Sequence, residues 1–240
     1  SLEVSTTDVS DAMLVRCDDD GTEDGLASFD LSLADSLVLV SAPAGVTITY
    51  YASNQDALLE QNPLVSPFTN TTAYSQNIYA RAEDDNACYG ISQLLLKVNP
   101  LPLLDQDQSV IYCLNNYPST LTLNAGVIGG SSGLNYQWSN GETSQSIQVN
   151  QAGVYTVSVE NSNGCTQSRQ ITVVDSEVAT IDNITVSDAS QVNSIAVSVS
   201  GDGDYEFALD NPLGPYQDLN SFDNVLPGIH TVYVRDKNGC

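Results

Sequence analysis

Five cysteines, at positions 17, 88, 113, 165 and 240, are the residues of this chain best suited to covalent chemistry. They form no C-x-x-C pair, so neither a zinc knuckle nor a dithiol redox motif is encoded. Two readings remain: disulfides in an oxidising compartment, or reduced thiols in the cytosol. The cysteines fall at corresponding places of a repeat, which suits the first. Cys17 with Cys88, and Cys113 with Cys165, are the natural pairs, each bracketing its own stretch of chain. Closing loops of that length stabilises by about 4 kcal/mol each in the chain-entropy model. Cys240 is then left without a partner.

The densest acid lies between Cys17 and Asp30. There Asp20-x-Thr22-x-Asp24-Gly25 has the first half of a calcium-loop pattern, with oxygen ligands at alternate positions and a glycine for the bend. Asp18 or Asp30 could complete a shell of hard oxygens, so Asp18, Asp20, Asp24 and Asp30 are the candidate Ca²⁺ ligands. Leu31 stands where the bidentate glutamate belongs, and the flanks read as strands, so this is not an EF-hand. A solvated acidic turn is the competing reading. Asn70-Thr-Thr72 and Asn183-Ile-Thr185 match the pattern for N-glycosylation, which is frequent by chance.

The inventory for catalysis is poor. His230 is the single histidine, and it occupies a strand position held elsewhere by a tyrosine. There is no G-x-S-x-G elbow, no H-E-x-x-H and no phosphate loop. A non-catalytic role is expected, although two of the 30 acidic residues could converge as a hydrolytic pair.

The cysteines are positioned by a repeated strand and turn. Gly153-Val-Tyr-Thr-Val-Ser-Val-Glu-Asn-Ser-Asn-Gly-Cys165 and Gly228-Ile-His-Thr-Val-Tyr-Val-Arg-Asp-Lys-Asn-Gly-Cys240 are close copies, and Gln76-Asn-Ile-Tyr-Ala-Arg-Ala-Glu-Asp-Asp-Asn-Ala-Cys88 is a worn one. Apolar or ring-bearing residues alternate along each, the mark of a half-buried strand. Asn-Gly then supplies a tight turn. The copies recur 77 and 75 residues apart, which predicts three tandem β modules: 1–100 with the acidic loop, 101–175, and 176–240.

Module two reads as six or seven short strands with turns rich in Gly, Ser and Asn, which predicts a β-sandwich. Strands are expected at 109–113, 120–123, 135–138, 146–149, 154–160 and 169–174. Cys113, Trp138 and Gly153-x-Tyr155 are elements of an immunoglobulin-like sandwich, with Tyr155 as the corner tyrosine. Cys165 lies beyond the hairpin turn, so its cross-link should hold the rim of the sandwich. Trp138 reads as core, with sugar stacking as its functional alternative. In module one, strands are expected at 12–16, 26–31, 46–51, 77–82 and 91–98, with one or two helical turns at 55–60. In module three they are expected at 183–186, 194–200, 205–209 and 231–235. The fold class is thus all-β, three tandem immunoglobulin-like β-sandwich modules. Module three lacks a counterpart of 91–98 and 169–174, so a closing strand is expected beyond Cys240.

The chain carries 30 acidic and 6 basic residues, which disfavours nucleic acid and anionic membranes as partners. No apolar run is long enough for a transmembrane helix.

Three groups of residues carry a family resemblance: Cys17-Asp-Asp-Asp-Gly21 with Gly25-Leu-Ala-Ser-Phe-Asp-Leu31; Tyr136-Gln-Trp-Ser-Asn-Gly141 with the copy ending at Cys165; and Gly203-Asp-Tyr-Glu-Phe-Ala-Leu209 with the copy ending at Cys240. In this order they resemble large cell-surface proteins of Bacteroidota. Those proteins leave the cell by the type IX secretion system and carry a gliding-motility-associated, type B sorting domain preceded by such modules. The resemblance implies a secreted or outer-membrane-attached protein whose modules act as stalk or adhesin. It implies as partners the secretion translocon and outer-membrane anchoring proteins, reached through a C-terminal region beyond this sequence, with a surface glycan or protein as the adhesion ligand. The alternative is an array of carbohydrate-binding modules attached to a larger secreted enzyme.

Overall fold

A computed structural model describes residues 8–84, 89–188 and 192–240. The chain divides into two compact units. One is Ser1–Leu103 with Ser131–Leu134 and Glu160–Gln167; the other is Leu104–Gly130, Asn135–Val159 and Ser168–Cys240.

In module one, β1 (Ala12–Cys17), β2 (Ser28–Phe29), β3 (Thr47–Tyr51), β4 (Phe68–Thr69), β5 (Ser75–Glu83) and β6 (Tyr89–Asn99) are joined by two short helices, α1 (Asp35–Val38) and α2 (Asn54–Leu59). The main sheet has the order β1-β6-β5-β3, and β2 pairs with β4 in a second. β1 runs parallel to β6, with Cys17 level with Asn99. The alternation Ile78, Ala80, Ala82 along β5 and Leu94, Leu96, Val98 along β6 is buried, and Phe29, Leu31, Ala34 and Val38 pack on the same core. Sequence periodicity predicted a strand over 26–31. Only Ser28–Phe29 pairs as a strand; beyond it Asp30 accepts a hydrogen bond from the Ser32 amide and starts a 3-10 turn at Leu31–Ala34 that runs into α1. Local capping of this kind competes directly with strand formation.

Module two comprises β7 (Gln108–Cys113), β8 (Leu121–Asn124), β9 (Asn135–Trp138), β10 (Ser146–Val149), β11 (Gly153–Glu160) and β12 (Thr166–Ser176). The sheet β7-β12-β11-β9 faces the pair β10-β8, and β7 runs parallel to β12 with Cys113 level with Ser176. Trp138 is buried at the centre, and its indole N–H donates to the Ser144 carbonyl at 2.8 Å. That is the core role for Trp138. The Tyr155 hydroxyl donates to the Gln151 carbonyl at 3.1 Å, forming the corner that the Gly-x-Tyr pattern predicts.

Module three comprises β13 (Thr180–Ser187), β14 (Ser194–Ser200), β15 (Tyr205–Leu209), β16 (Ser221–Asp223) and β17 (Val232–Asp236). Its sheets are β13-β14-β16 and β15-β17. Ile195, Val197, Phe207 and Val225 form its core. The sequence reading missed the three-residue β16, which is too short to show alternation. The architecture is all-β, in three immunoglobulin-like modules.

Candidate functional site

The two disulfides are the features that set this chain apart, and the strand register determines where they form. β1 and β6 end side by side, as do β7 and β12. Cys17 and Cys113 therefore sit at the end of their module where the chain leaves for the next. Asp18 N–H continues the pattern by donating to the Asn99 carbonyl at 3.0 Å.

The partner cysteines are presented by the Asn-Gly turns. After β11, the Asn161 side-chain oxygen accepts from the amides of Asn163 at 3.0 Å and Cys165 at 3.1 Å. After β17, the Asp236 carboxylate accepts from the equivalent amides, Asn238 and Cys240, each at 3.2 Å. Gly164 and Gly239 have φ of +79° and +86°, a left-handed conformation that glycine adopts without steric cost. Both turns thus hold their cysteine in one geometry, set by an Asx side chain four residues upstream.

The same Asx residue touches the chain leaving the preceding module. Asn161 donates to the Pro100 carbonyl at 2.9 Å. Asp236 accepts from the Ser176 hydroxyl at 2.7 Å, and Asn238 donates to that hydroxyl at 3.1 Å. The result is two covalent bridges, Cys17–Cys165 and Cys113–Cys240, spanning 148 and 127 residues. The first lies wholly within one compact unit and the second wholly within the other.

These bridges correct the expected pairs. Cys17 joins Cys165, not Cys88, and Cys113 joins Cys240, not Cys165. Cys240 is therefore not the odd cysteine. Cys88 lies outside the described residues. For Cys113 the reason is distance along the sheet: it is level with Ser176, at the far end of β12 from Thr166, which follows Cys165. Ten residues of strand span about 33 Å, and a disulfide needs Cα atoms within about 7 Å.

Asp236 is buried and collects four donors. Its Oδ1 accepts from the Asp204 amide at 3.0 Å as well as from Asn238, and its Oδ2 from Ser176 and Cys240. Burial alone pushes its carboxyl upward, but the bonds from Ser176, Asn238, Cys240 and Asp204 outweigh that and hold it below the usual carboxylate range. His230 occupies the place of Tyr155 in the repeat and repeats its bond: Nε2 lies 2.7 Å from the Leu226 carbonyl, while Nδ1 lies 2.7 Å from Asp210. The Asp210 carboxylate and then the Leu226 carbonyl raise its pKa. Neither ring nitrogen is left over for a substrate.

The candidate Ca²⁺ ligands are engaged separately. Asp18 is 2% exposed; its Oδ2 accepts from the Gly25 amide at 2.7 Å, and its Oδ1 is buried without a hydrogen bond. Asp20 and Asp24 cap the local turns at Thr22 and Leu26. Asp30 caps the 3-10 turn and accepts from Ser32 and Ser66, which hold its carboxyl below its ordinary value. No group of three or more His, Cys, Asp or Glu gathers to hold a metal among the described residues. Asn70, the first glycosylation-pattern residue, is buried, accepting from Ala27 and donating to the Gly25 and Thr72 carbonyls.

Residues 13–102 match the profile of the Flavobacterium inter-domain disulphide bond domain. No curated protein matches the chain. Among solved structures, extracellular domains 3–5 of Drosophila OTK are similar at 10% identity over 98% of this chain and 93% of that one, with a TM-score of 0.40. The titin I-band fragment I67-I69 is similar at 12% identity over 97% and 94%, with a TM-score of 0.35. The human desmocollin-1 ectodomain is similar at 10% identity over 98% and 56%, with a TM-score of 0.29.

Proposed function

We propose that this chain is a non-catalytic, disulfide-laced stalk segment of a bacterial surface protein. In this reading the protein belongs to Bacteroidota, leaves the cell through the type IX secretion system, and is attached at the outer membrane through a region outside this sequence. The observation that carries the stalk role is the interleaving of the two bridges. Each ties a module to its successor in addition to the peptide bond, and the loops 17–165 and 113–240 overlap. Disulfides persist outside the cytosol, which supports an exported location. The net charge of −24 keeps such a segment soluble and discourages self-association.

Interleaving shortens the covalent path under load. From Ser1 the tension runs to Cys17, across to Cys165, back to Cys113 and across to Cys240, a path of about 70 residues. At about 3.5 Å per residue that is about 240 Å, against about 840 Å for the reduced chain. Pulling single oxidised molecules by their termini should stop near the shorter length, and adding reductant should release the rest. An oxidised extension near 400 Å, the value for pairs confined within modules, would remove the basis of the stalk reading.

A further inference from the structure

His230 stands where Tyr155 stands in the repeat, and both side chains reach the carbonyl four residues upstream. The Tyr155 hydroxyl donates to Gln151 at 3.1 Å, and His230 Nε2 lies 2.7 Å from the Leu226 oxygen. Exchanging a phenol for an imidazole adds a second bond. Nδ1 lies 2.7 Å from Oδ2 of Asp210, the residue that directly follows β15. Asp210 is itself fixed: its amide donates to the Thr231 carbonyl at 2.8 Å, and its Oδ1 accepts from the Thr231 amide at 2.9 Å. That backbone bond, and then the bond from His230, hold its carboxyl below the usual carboxylate range. It is therefore ionised and can only accept.

Both ring nitrogens thus meet acceptors. A neutral imidazole has one N–H and one lone pair, so it would set that lone pair against either the carbonyl or the carboxylate. The imidazolium donates to both. The other ionisable groups around the ring favour the same state. His230 lines two surface grooves: Asp188, directly after β13, lines one, and Asp210 and Asp223, the last residue of β16, line the other. Among the described residues no lysine or arginine lines either groove. The backbone of 226–230 makes no other hydrogen bond among the described residues, so the ring is what ties this turn down.

We propose that the corner of module three is a proton-operated clamp. The doubly protonated His230 ring ties the 226–230 turn to Asp210, and loss of one ring proton to solvent unties it. Module two makes the same corner with a hydroxyl, whose single proton serves a single acceptor. The turn in module three carries Leu226 and Ile229, 77% and 101% exposed. Protonation of the ring therefore sets whether these apolar side chains are presented in one fixed geometry. The direction follows from the bonds. The Asp210 carboxylate and then the Leu226 carbonyl favour the charged ring, so the clamp is fully engaged below the free-imidazole value of about 6.5 and is lost as pH rises through the higher folded value.

The chain has one histidine, so an NMR titration of the full chain reads this ring alone. Its midpoint should lie above about 6.5. The backbone ¹⁵N order parameters of Gly228, Ile229 and His230 should fall from about 0.85 to below about 0.6 as the ring loses its proton. His230→Tyr, which copies module two, should keep the rigid value throughout. Asp210→Asn should lower the midpoint, and should keep the turn ordered above it, because the amide can donate to the neutral ring's free nitrogen. Order parameters that do not follow the titration, or a His230→Tyr variant that keeps the pH dependence, would overturn the proposal. So would a midpoint at or below the free-imidazole value, or one that Asp210→Asn leaves unchanged.

Discussion

Replacing Cys17 and Cys165 together by serine should lower the stability of the chain by about 3–5 kcal/mol, as should replacing Cys113 and Cys240 together. Loops spanning 148 and 127 residues fall at the upper end of the chain-entropy relation, which assigns about 5 kcal/mol to closures of this length, while measured disulfides more often contribute about 2–4 kcal/mol. At the entropy of unfolding of a chain this size, the loss corresponds to a fall of about 10 °C in melting temperature. The double replacements are the informative ones. Cys165 is fully buried against the Asn99 carbonyl at 3.8 Å, so replacing Cys17 alone would also leave a buried thiol. The bridges add coupling as well as stability. Modules one and three have separate cores, so removing both pairs should split one calorimetric transition into at least two. A melt unchanged by either replacement would mean that the modules gain nothing from being joined.

Asp236→Ala should destabilise module three by about 3 kcal/mol or more, with Asp236→Asn intermediate. The carboxylate is buried and its two oxygens serve four donors. A hydrogen bond to a charged group contributes about 1.5–3 kcal/mol, and donors left unsatisfied in a buried site add their desolvation cost. Asparagine retains one acceptor oxygen, enough for the i+2 and i+4 amides, as Asn161 shows in module two. The Asp204 amide then loses its acceptor, while the Ser176 hydroxyl can turn to accept from the new side-chain NH2. The carboxyl is lowered in the folded state, so its contribution is fully present above the unfolded value of about 3.9 and is lost as pH falls through the folded value. Denaturant titrations at pH 7 and pH 3, read by exchange of the β17 amides, check both statements. The gap between the native chain and Asp236→Asn should narrow at the lower pH. An Asp236→Ala variant as stable as the native chain would show that the Asx clamp does not hold the turn.

Much of the fold was legible because its signals are local. Alternation at period two marked 135–138, 146–149, 194–200 and 205–209, each within a residue of the observed strand. The Gly-x-Tyr position predicted the corner bond at Tyr155, and the repeat located the turns; the bond from His230 to the Leu226 carbonyl was not foreseen, although the repeat equates the two positions. What was not legible depends on direction. Nothing local states that β1 and β7 run parallel to the closing strands, and that one fact moves Cys17 and Cys113 to the far end of their modules. Bracketing each module with its own cysteines was the wrong inference for that reason. A signal was present nonetheless. Asn161 and Asp236 stand four residues before their cysteines in both full copies, a spacing suited to an Asx clamp. The odd count also fits pairs offset by one module. In the acidic loop, Asp20, Asp24 and Asp30 each cap a local turn, a role in backbone satisfaction that the composition between Cys17 and Asp30 did not by itself reveal.

The central claim, that successive modules are latched to one another by disulfides, is tested most directly by peptide mapping of the oxidised protein, alkylated and digested at acidic pH without reductant. One linked pair should contain Cys17 and Cys165 and another Cys113 and Cys240, each resolved into two peptides on reduction. Linkage of Cys17 to Cys88, or of Cys113 to Cys165, would contradict it.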